Sequence, residues 1–163
     1  MSTASYERAV ALGAALSARG WRVATAESCT AGMIAAAITD VAGSSIWFDR
    51  GFVTYSDEAK QDMLGVRKST LLAHGAVSEA TVREMVDGAL ARSAAELAVA
   101  VSGVAGPAGG TPEKPVGMVC FAWGGGGGAV EIATRHFAGD RAGVREAAVI
   151  VALEGLIERA RRP

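Results

Sequence analysis

Residues Leu97–Gly103 read LAVAVSG, a near-continuous apolar run without a charge. Such a run is typical of a strand buried on both faces, as at the centre of a sheet covered by helices on either side. Downstream, GMVCFAW (117–123) and VEIATRHF (130–137) read as two more strands, joined by the pentaglycine 124–128 as a hairpin connection. Asp140 then caps a last helix to about Arg161. Upstream, Ser78 with Thr81 and Glu84 signals a helix start, and that helix runs to about Ser93.

Further toward the N-terminus, Tyr6 to Arg19 reads as a helix ending at Gly20, and WRVATAES (21–28) as the first strand. A helix from Thr30 to Ile38 gives way to the loop DVAGSS. IWFDRGFVTY (46–55) reads as a strand with an irregularity at Gly51. Ser56 caps a helix from Asp57 to Leu64, and a short helix covers Ser69 to His74. Strands alternating with helices predict a three-layer α/β/α sandwich, and the closing hairpin makes its sheet mixed. No internal repeat or boundary divides residues 1–163, so a single domain is expected.

Of the 163 residues, 50% are hydrophobic and 20% charged, and the net charge is −1. That is a globular composition without the basic field that binds nucleic acid. No apolar run spans a bilayer, and AVALGAALSA (9–18) lacks the basic flank of a signal peptide. The two cysteines are too few for a disulfide framework, so a reducing cytoplasm is expected.

The chemistry-bearing stretch is Ala24–Ile38, ATAESCTAGMIAAAI, where Glu27, Ser28, Cys29 and Thr30 sit on a strand-to-helix turn. Ser28 reads either as an N-cap or as a nucleophile whose oxyanion would meet free N–H groups at the helix start, with Thr30 taking over the cap. Cys29 is a rival nucleophile, since a helix N-terminus lowers a thiol pKa, but no neighbouring histidine pairs with it and cysteines are often simply buried. His74 and His136 are the only histidines, and neither sits in a setting that marks a base. The same scarcity gives no metal-ligand spacing, and no cofactor is expected. Lys60, early in a helix, becomes a base if burial and the dipole lower its pKa; otherwise it is a solvated lysine paired with Asp57 and Glu58. The Tyr55 hydroxyl is placed to orient it or relay a proton. Anion-site candidates are the glycine loop SGVAGPAGG, with Ser102, Gly103 and Gly106, and Arg141 with Arg145 at a helix N-terminus.

The blocks TAESCTAG, GSSIWFDRGFVTYSDEAKQDMLGV, HGAVSE, VSGVAGPAGGTPEKPVG and FAGDRAGVR together resemble the CinA C-terminal-domain family, in order, from about Val23 to Arg145. Its enzymatic members are nicotinamide-nucleotide amidohydrolases. The resemblance implies the stand-alone form of the family and a fold of about five strands, mostly parallel, similar to anticodon-binding domains. It implies a metal-independent Ser/Lys amidohydrolase with Ser28 as nucleophile, Lys60 as base and Tyr55 as supporting hydroxyl. The oxyanion would be held by N–H groups from about Thr30 through Ala31 to Gly32. The implied substrate is a pyridine mononucleotide, nicotinamide mononucleotide going to nicotinate mononucleotide and ammonia in nucleotide recycling. A non-catalytic mononucleotide-binding or competence-linked module is the alternative, and homo-oligomerisation stays open. One departure is Ala31, where the family carries glycine; its methyl group is expected to fit a helix start.

Overall fold

The computed structural model describes residues 2–163. Its elements are α1 (Thr3–Arg19), β1 (Val23–Glu27), α2 (Met33–Thr39), β2 (Phe48–Val53), α3 (Asp57–Leu64), α4 (Lys68–His74), α5 (Glu79–Ala91), β3 (Leu97–Gly103), β4 (Met118–Gly125), β5 (Gly128–His136) and α6 (Arg141–Arg161). The strands form one sheet in the order β2-β1-β3-β4-β5. β2, β1 and β3 pair in parallel, and β4 runs antiparallel to both β3 and β5. The sheet is therefore mixed, as the sequence predicts.

Strand alternation divides the core in two. On one face Val23, Leu97, Val99, Val101, Val119 and Phe121 pack against α1, α2 and α6. On the other, Ala24, Ala26, Ala98, Ala100 and Ala122 meet Leu64, Leu71, Val82, Met85 and Val86 of α3, α4 and α5. The alanines leave this second layer close to the sheet. Within it, α5 touches the end of α3 through Gly88, where an added Cβ would lie 2.0 Å from the Leu64 carbonyl oxygen.

The side-chain caps read from sequence hold at Ser56, Ser78 and Asp140, which accept from the N–H groups of Ala59, Thr81 and Gly143. Two local expectations need correction. The irregularity in β2 lies at Asp49, not Gly51: Val23 pairs with Phe48 and Ala24 with Arg50, while Gly51 stays in register with Thr25. Gly51 is required for space, since a Cβ there would lie 2.9 Å from Thr25 Oγ1 and 3.2 Å from the Ala35 Cβ. Helix α2 starts at Met33 rather than Thr30, because Ala31 and Gly32 both take left-handed backbone angles, φ 47° and 92°.

From β1 the chain crosses one face to β2, then crosses the other face to β3 on the opposite side of β1. Parallel strands that diverge this way leave a crevice at their carboxyl ends, where α/β folds bind ligands. Ser28 follows β1 and Gly103 ends β3 at this crevice.

Gly88→Ala should destabilise the protein by about 1–3 kcal/mol through overpacking against backbone. The urea midpoint measures it, and an unchanged midpoint would refute the close α3–α5 contact.

Candidate active site

Ser28 sits just past the carboxyl end of β1, with its N–H donated to Val101 O at 3.0 Å. Helix α3 lies over the same end of the sheet and turns Lys60 inward, so that Lys60 is 0% exposed and Ser28 only 8%. Lys60 Nζ lies 3.0 Å from Ser28 Oγ, 2.8 Å from Thr54 O and 3.3 Å from Tyr55 O. Burial holds the Lys60 amine below its ordinary pKa; Asp57 and Cys29 oppose this only in part. A buried amine with those partners is not the solvated, acid-paired lysine that the local sequence allowed.

These contacts suit a neutral amine. A neutral amine would give its two N–H bonds to the Thr54 and Tyr55 carbonyls and turn its lone pair to the Ser28 hydroxyl; an ammonium donates to all three oxygens. Such a pair can take the hydroxyl proton and give it back, the requirement for activating a serine.

Cys29, next to Ser28, follows the buried reading and lacks the lowered thiol pKa that its rival role as nucleophile needs. Burial pushes its thiol up to about 11, so thiolate is scarce near neutral pH. The Tyr55 hydroxyl does not meet Lys60 either. That side chain is 60% exposed and its hydroxyl accepts from Arg141 Nη2 at 3.2 Å; only the Tyr55 carbonyl reaches the amine.

Most donors at the start of α2 are already taken. Ile34 and Ala35 donate their N–H groups to the Glu27 carboxylate at 2.9 and 3.0 Å, and Met33 donates to Thr30 O. Thr30 does not cap the helix but donates its hydroxyl to Glu27 at 2.7 Å. The Ala31 N–H goes to Ser28 O at 3.1 Å. Ala31 is not a helix-start residue: its left-handed backbone costs roughly 1–2 kcal/mol for a side chain with a Cβ. The peptide N–H groups of Cys29, Thr30 and Gly32 have no acceptor among the described residues. Those of Cys29 and Thr30, immediately after Ser28, are the donors best placed by sequence for an oxyanion.

Ser28, Cys29, Tyr55, Lys60, Ser102, Gly103 and Arg141, with Ala76, Val77 and Ala105 as apolar wall, line a cleft of about 180 Å³. Ser102 donates its hydroxyl to Ala76 O at 2.8 Å and so holds that wall. Gly103 serves packing, since a Cβ would lie 2.7 Å from Val119 Cγ2. Ala105 and Arg141 also line an adjoining outer groove of about 620 Å³, together with Pro107, Val116, Asp140 and Arg145. Arg141 stands between the two, donating to Gly106 O at 2.9 Å and to Tyr55. Arg145 points two of its donors back at the turn, to Cys29 O at 3.0 Å and Thr30 O at 3.3 Å, so its main contact is a brace.

A separate groove of about 420 Å³ between β5 and α6 holds Glu131, Glu154 and Glu158. All three carboxylates are already paired, with arginines 162, 8 and 162 respectively. It contains no nucleophile beside a base. Among the described residues no group of three metal-ligating side chains comes together, and no helix is long and apolar enough to cross a membrane.

Sequence reasoning missed Glu27 as an organiser and the two carbonyls that hold Lys60. A carboxylate ending an otherwise apolar strand was a signal for the first; the carbonyls leave none.

Comparison with known proteins gives a consistent picture. The family model of the CinA C-terminal domain matches residues 5–160. A nicotinamide-nucleotide amidohydrolase PncC of Enterobacter agglomerans is 56% identical over 149 residues, covering 91% of this chain and 91% of that protein. The protein of the same name from Escherichia coli K12 is 56% identical over 145 residues, covering 89% and 88%. The crystal structure of the competence/damage inducible protein CihA from Agrobacterium tumefaciens matches with a TM-score of 0.95 at 48% identity, covering 98% and 97%.

The buried amine is directly testable. In a 13C NMR titration of the lysine Cε signals, Lys60 should titrate below the ordinary lysine value of about 10.4. A Lys60 midpoint at or above that value would rule out the neutral amine.

Proposed function

This chain belongs to the CinA C-terminal domain family, and we propose that it is a nicotinamide-nucleotide amidohydrolase converting nicotinamide mononucleotide to nicotinate mononucleotide and ammonia. The observation that carries this reading is the 3.0 Å contact between Ser28 Oγ and the buried Lys60 amine. The names of the relatives supply the substrate.

In the proposed reaction, Ser28 Oγ attacks the carboxamide carbon while its proton passes to the Lys60 lone pair. The positive pyridinium ring makes that carbon more electrophilic. The oxyanion meets the N–H groups of Cys29 and Thr30. Lys60, now an ammonium held by the Thr54 and Tyr55 carbonyls, gives its third proton to the amide nitrogen. The C–N bond breaks and ammonia leaves. Water then attacks the acyl ester, Lys60 again taking and returning the proton, and Ser28 is regenerated. No step calls for a metal or a cofactor.

The cleft volume supports a division of the substrate. About 180 Å³ is below the roughly 300–1,000 Å³ of a pocket that encloses a drug-sized ligand. The pyridine ring and carboxamide occupy it, and the ribose and phosphate extend into the outer groove past Arg141. Asp140 already caps α6, so the phosphate depends on the Arg141 guanidinium more than on the helix N-terminus. Such a reaction belongs to recycling of pyridine nucleotides in the cytoplasm.

Ammonia release from nicotinamide mononucleotide tests the reading. Ser28→Ala should abolish turnover, whereas Cys29→Ala should keep most of it; the reverse pattern would move the nucleophile to Cys29. Arg141→Ala should raise KM for the mononucleotide by about tenfold or more, with little change for the phosphate-free riboside. Equal effects on both substrates would show that Arg141 does not read phosphate.

A further inference from the structure

The proposed chemistry leaves one fully buried ionisable group unused. Glu27 ends β1 with 0% exposure, and none of the ion pairs among the described residues includes it. Both of its oxygens are nonetheless saturated. Oε1 accepts from Thr30 Oγ1 at 2.7 Å and from the Ile34 N–H at 2.9 Å. Oε2 accepts from the Ala35 N–H at 3.0 Å and from Thr25 Oγ1 at 3.2 Å. The true N-cap of α2 is Gly32, which has no side chain to offer. Glu27 therefore caps α2 from five residues before that cap, and the chain between them loops around its carboxylate.

That loop contains Ser28 and the free N–H groups of Cys29 and Thr30. It also contains Ala31 at φ 47°, a conformation that disfavours any residue with a Cβ. Something must hold the loop against that strain, and the carboxylate makes contacts at both of its ends.

We propose that Glu27 is a positioning residue for the hydrolysis: it fixes the Ser28–Gly32 turn, and through it the approach of Ser28 Oγ to Lys60 and the aim of the oxyanion donors. The inference rests on the amidohydrolase reading above. Glu27 neither lines the cleft nor bonds Lys60, and what shifts Lys60 is burial, opposed by Asp57 and Cys29. Its influence is geometric, so it acts on kcat and not on the distant phosphate contact.

Glutamine is a sharp probe because it keeps the shape. Whichever way its amide is turned, the NH2 group faces one of the two α2 N–H donors, and the cap is half lost. Ala31→Gly removes the strain that the cap opposes. The full-length wild type, Glu27→Gln, Ala31→Gly and the double variant are compared for ammonia release from nicotinamide mononucleotide, with melting curves for each. Glu27→Gln should lower kcat about 100-fold, the scale of a reacting group misplaced by an ångström, with KM changed less than about threefold. Adding Ala31→Gly should recover about tenfold of that loss, a coupling that independent sites do not show. Thr30→Val, which removes one donor and spares the carboxylate, should lower kcat about fivefold and serves if Glu27→Gln does not fold.

Near-native kcat in Glu27→Gln, or in Thr30→Val where glutamine is not tolerated, would overturn the inference. So would a loss in Glu27→Gln that Ala31→Gly does not relieve, since a merely structural residue gives that result. A wild type that releases no ammonia would overturn the amidohydrolase reading itself, and the inference with it.

Discussion

A lysine amine without water must find every hydrogen-bond partner in the protein, and the site is built around that need. As an ammonium, Lys60 has three donors for Ser28 Oγ, Thr54 O and Tyr55 O; as an amine it has two donors and one lone pair for the same three atoms. Both protonation states are saturated without moving a heavy atom; only the Ser28 hydroxyl hydrogen turns. Burial disfavours the charged one, and Asp57 and Cys29 oppose that in part. A proton can thus be taken and returned without reorganising the surroundings, which is the main benefit of a preorganised polar site. The arrangement needs the end of β1, the β2–α3 link and the register of α3 to agree, so the closeness of α3 to α5 at Gly88 belongs to the site as much as to the core.

The two charged-type groups at the end of β1 are kept apart by the pleat of the strand. Consecutive residues point to opposite faces, so Glu27 reaches α2 on one side while Ser28 meets Lys60 on the other. Had the carboxylate faced the amine, Coulomb attraction would have held Lys60 protonated and removed its lone pair. On its own side Glu27 has a different role. Hydrogen bonds to a charged acceptor contribute roughly 1.5–3 kcal/mol each, so several together outweigh the roughly 1–2 kcal/mol cost of the left-handed Ala31. Arg145 works on the same turn from outside, through the carbonyls of Cys29 and Thr30. In a trans peptide the N–H points opposite to the carbonyl, so a brace on the Cys29 carbonyl also directs the Thr30 N–H.

What the sequence made legible follows from how local each signal is. LAVAVSG announced a strand covered on both faces, and it is β3, at the centre of the sheet. Ser56, Ser78 and Asp140 announced helix starts because a cap acts within a few residues. Ser28 and Lys60 stood out as residue types, yet only the fold brings them together across 32 positions. Locally, SDEAKQ reads as a solvated face, and nothing in it says that α3 rests on the end of the sheet. The start of α2 was misjudged for a similar reason: Thr30 has the chemistry of a cap, but a carboxylate from the preceding strand already occupies the helix start. Tyr55 was assigned by its hydroxyl and contributes its carbonyl, a backbone group that carries no residue signature.

Burying the amine also constrains where substrate recognition can lie. Water-free surroundings for Lys60 require a small cleft with apolar walls, supplied by Ala76, Val77 and Ala105. In the proposed reaction the ring and carboxamide fill that cleft, which leaves the phosphate to the space beyond it. That space is the outer groove, lined by Arg141 and Arg145 among others. Arg141 sits at the junction, bonded to Gly106 O on one side and to the Tyr55 hydroxyl on the other. The backbone of Tyr55 meanwhile holds Lys60. Tyr55 thus connects the group suited to phosphate with the group suited to proton transfer, so that in the proposed reaction binding at the far end of the nucleotide and geometry at the carboxamide share a single residue.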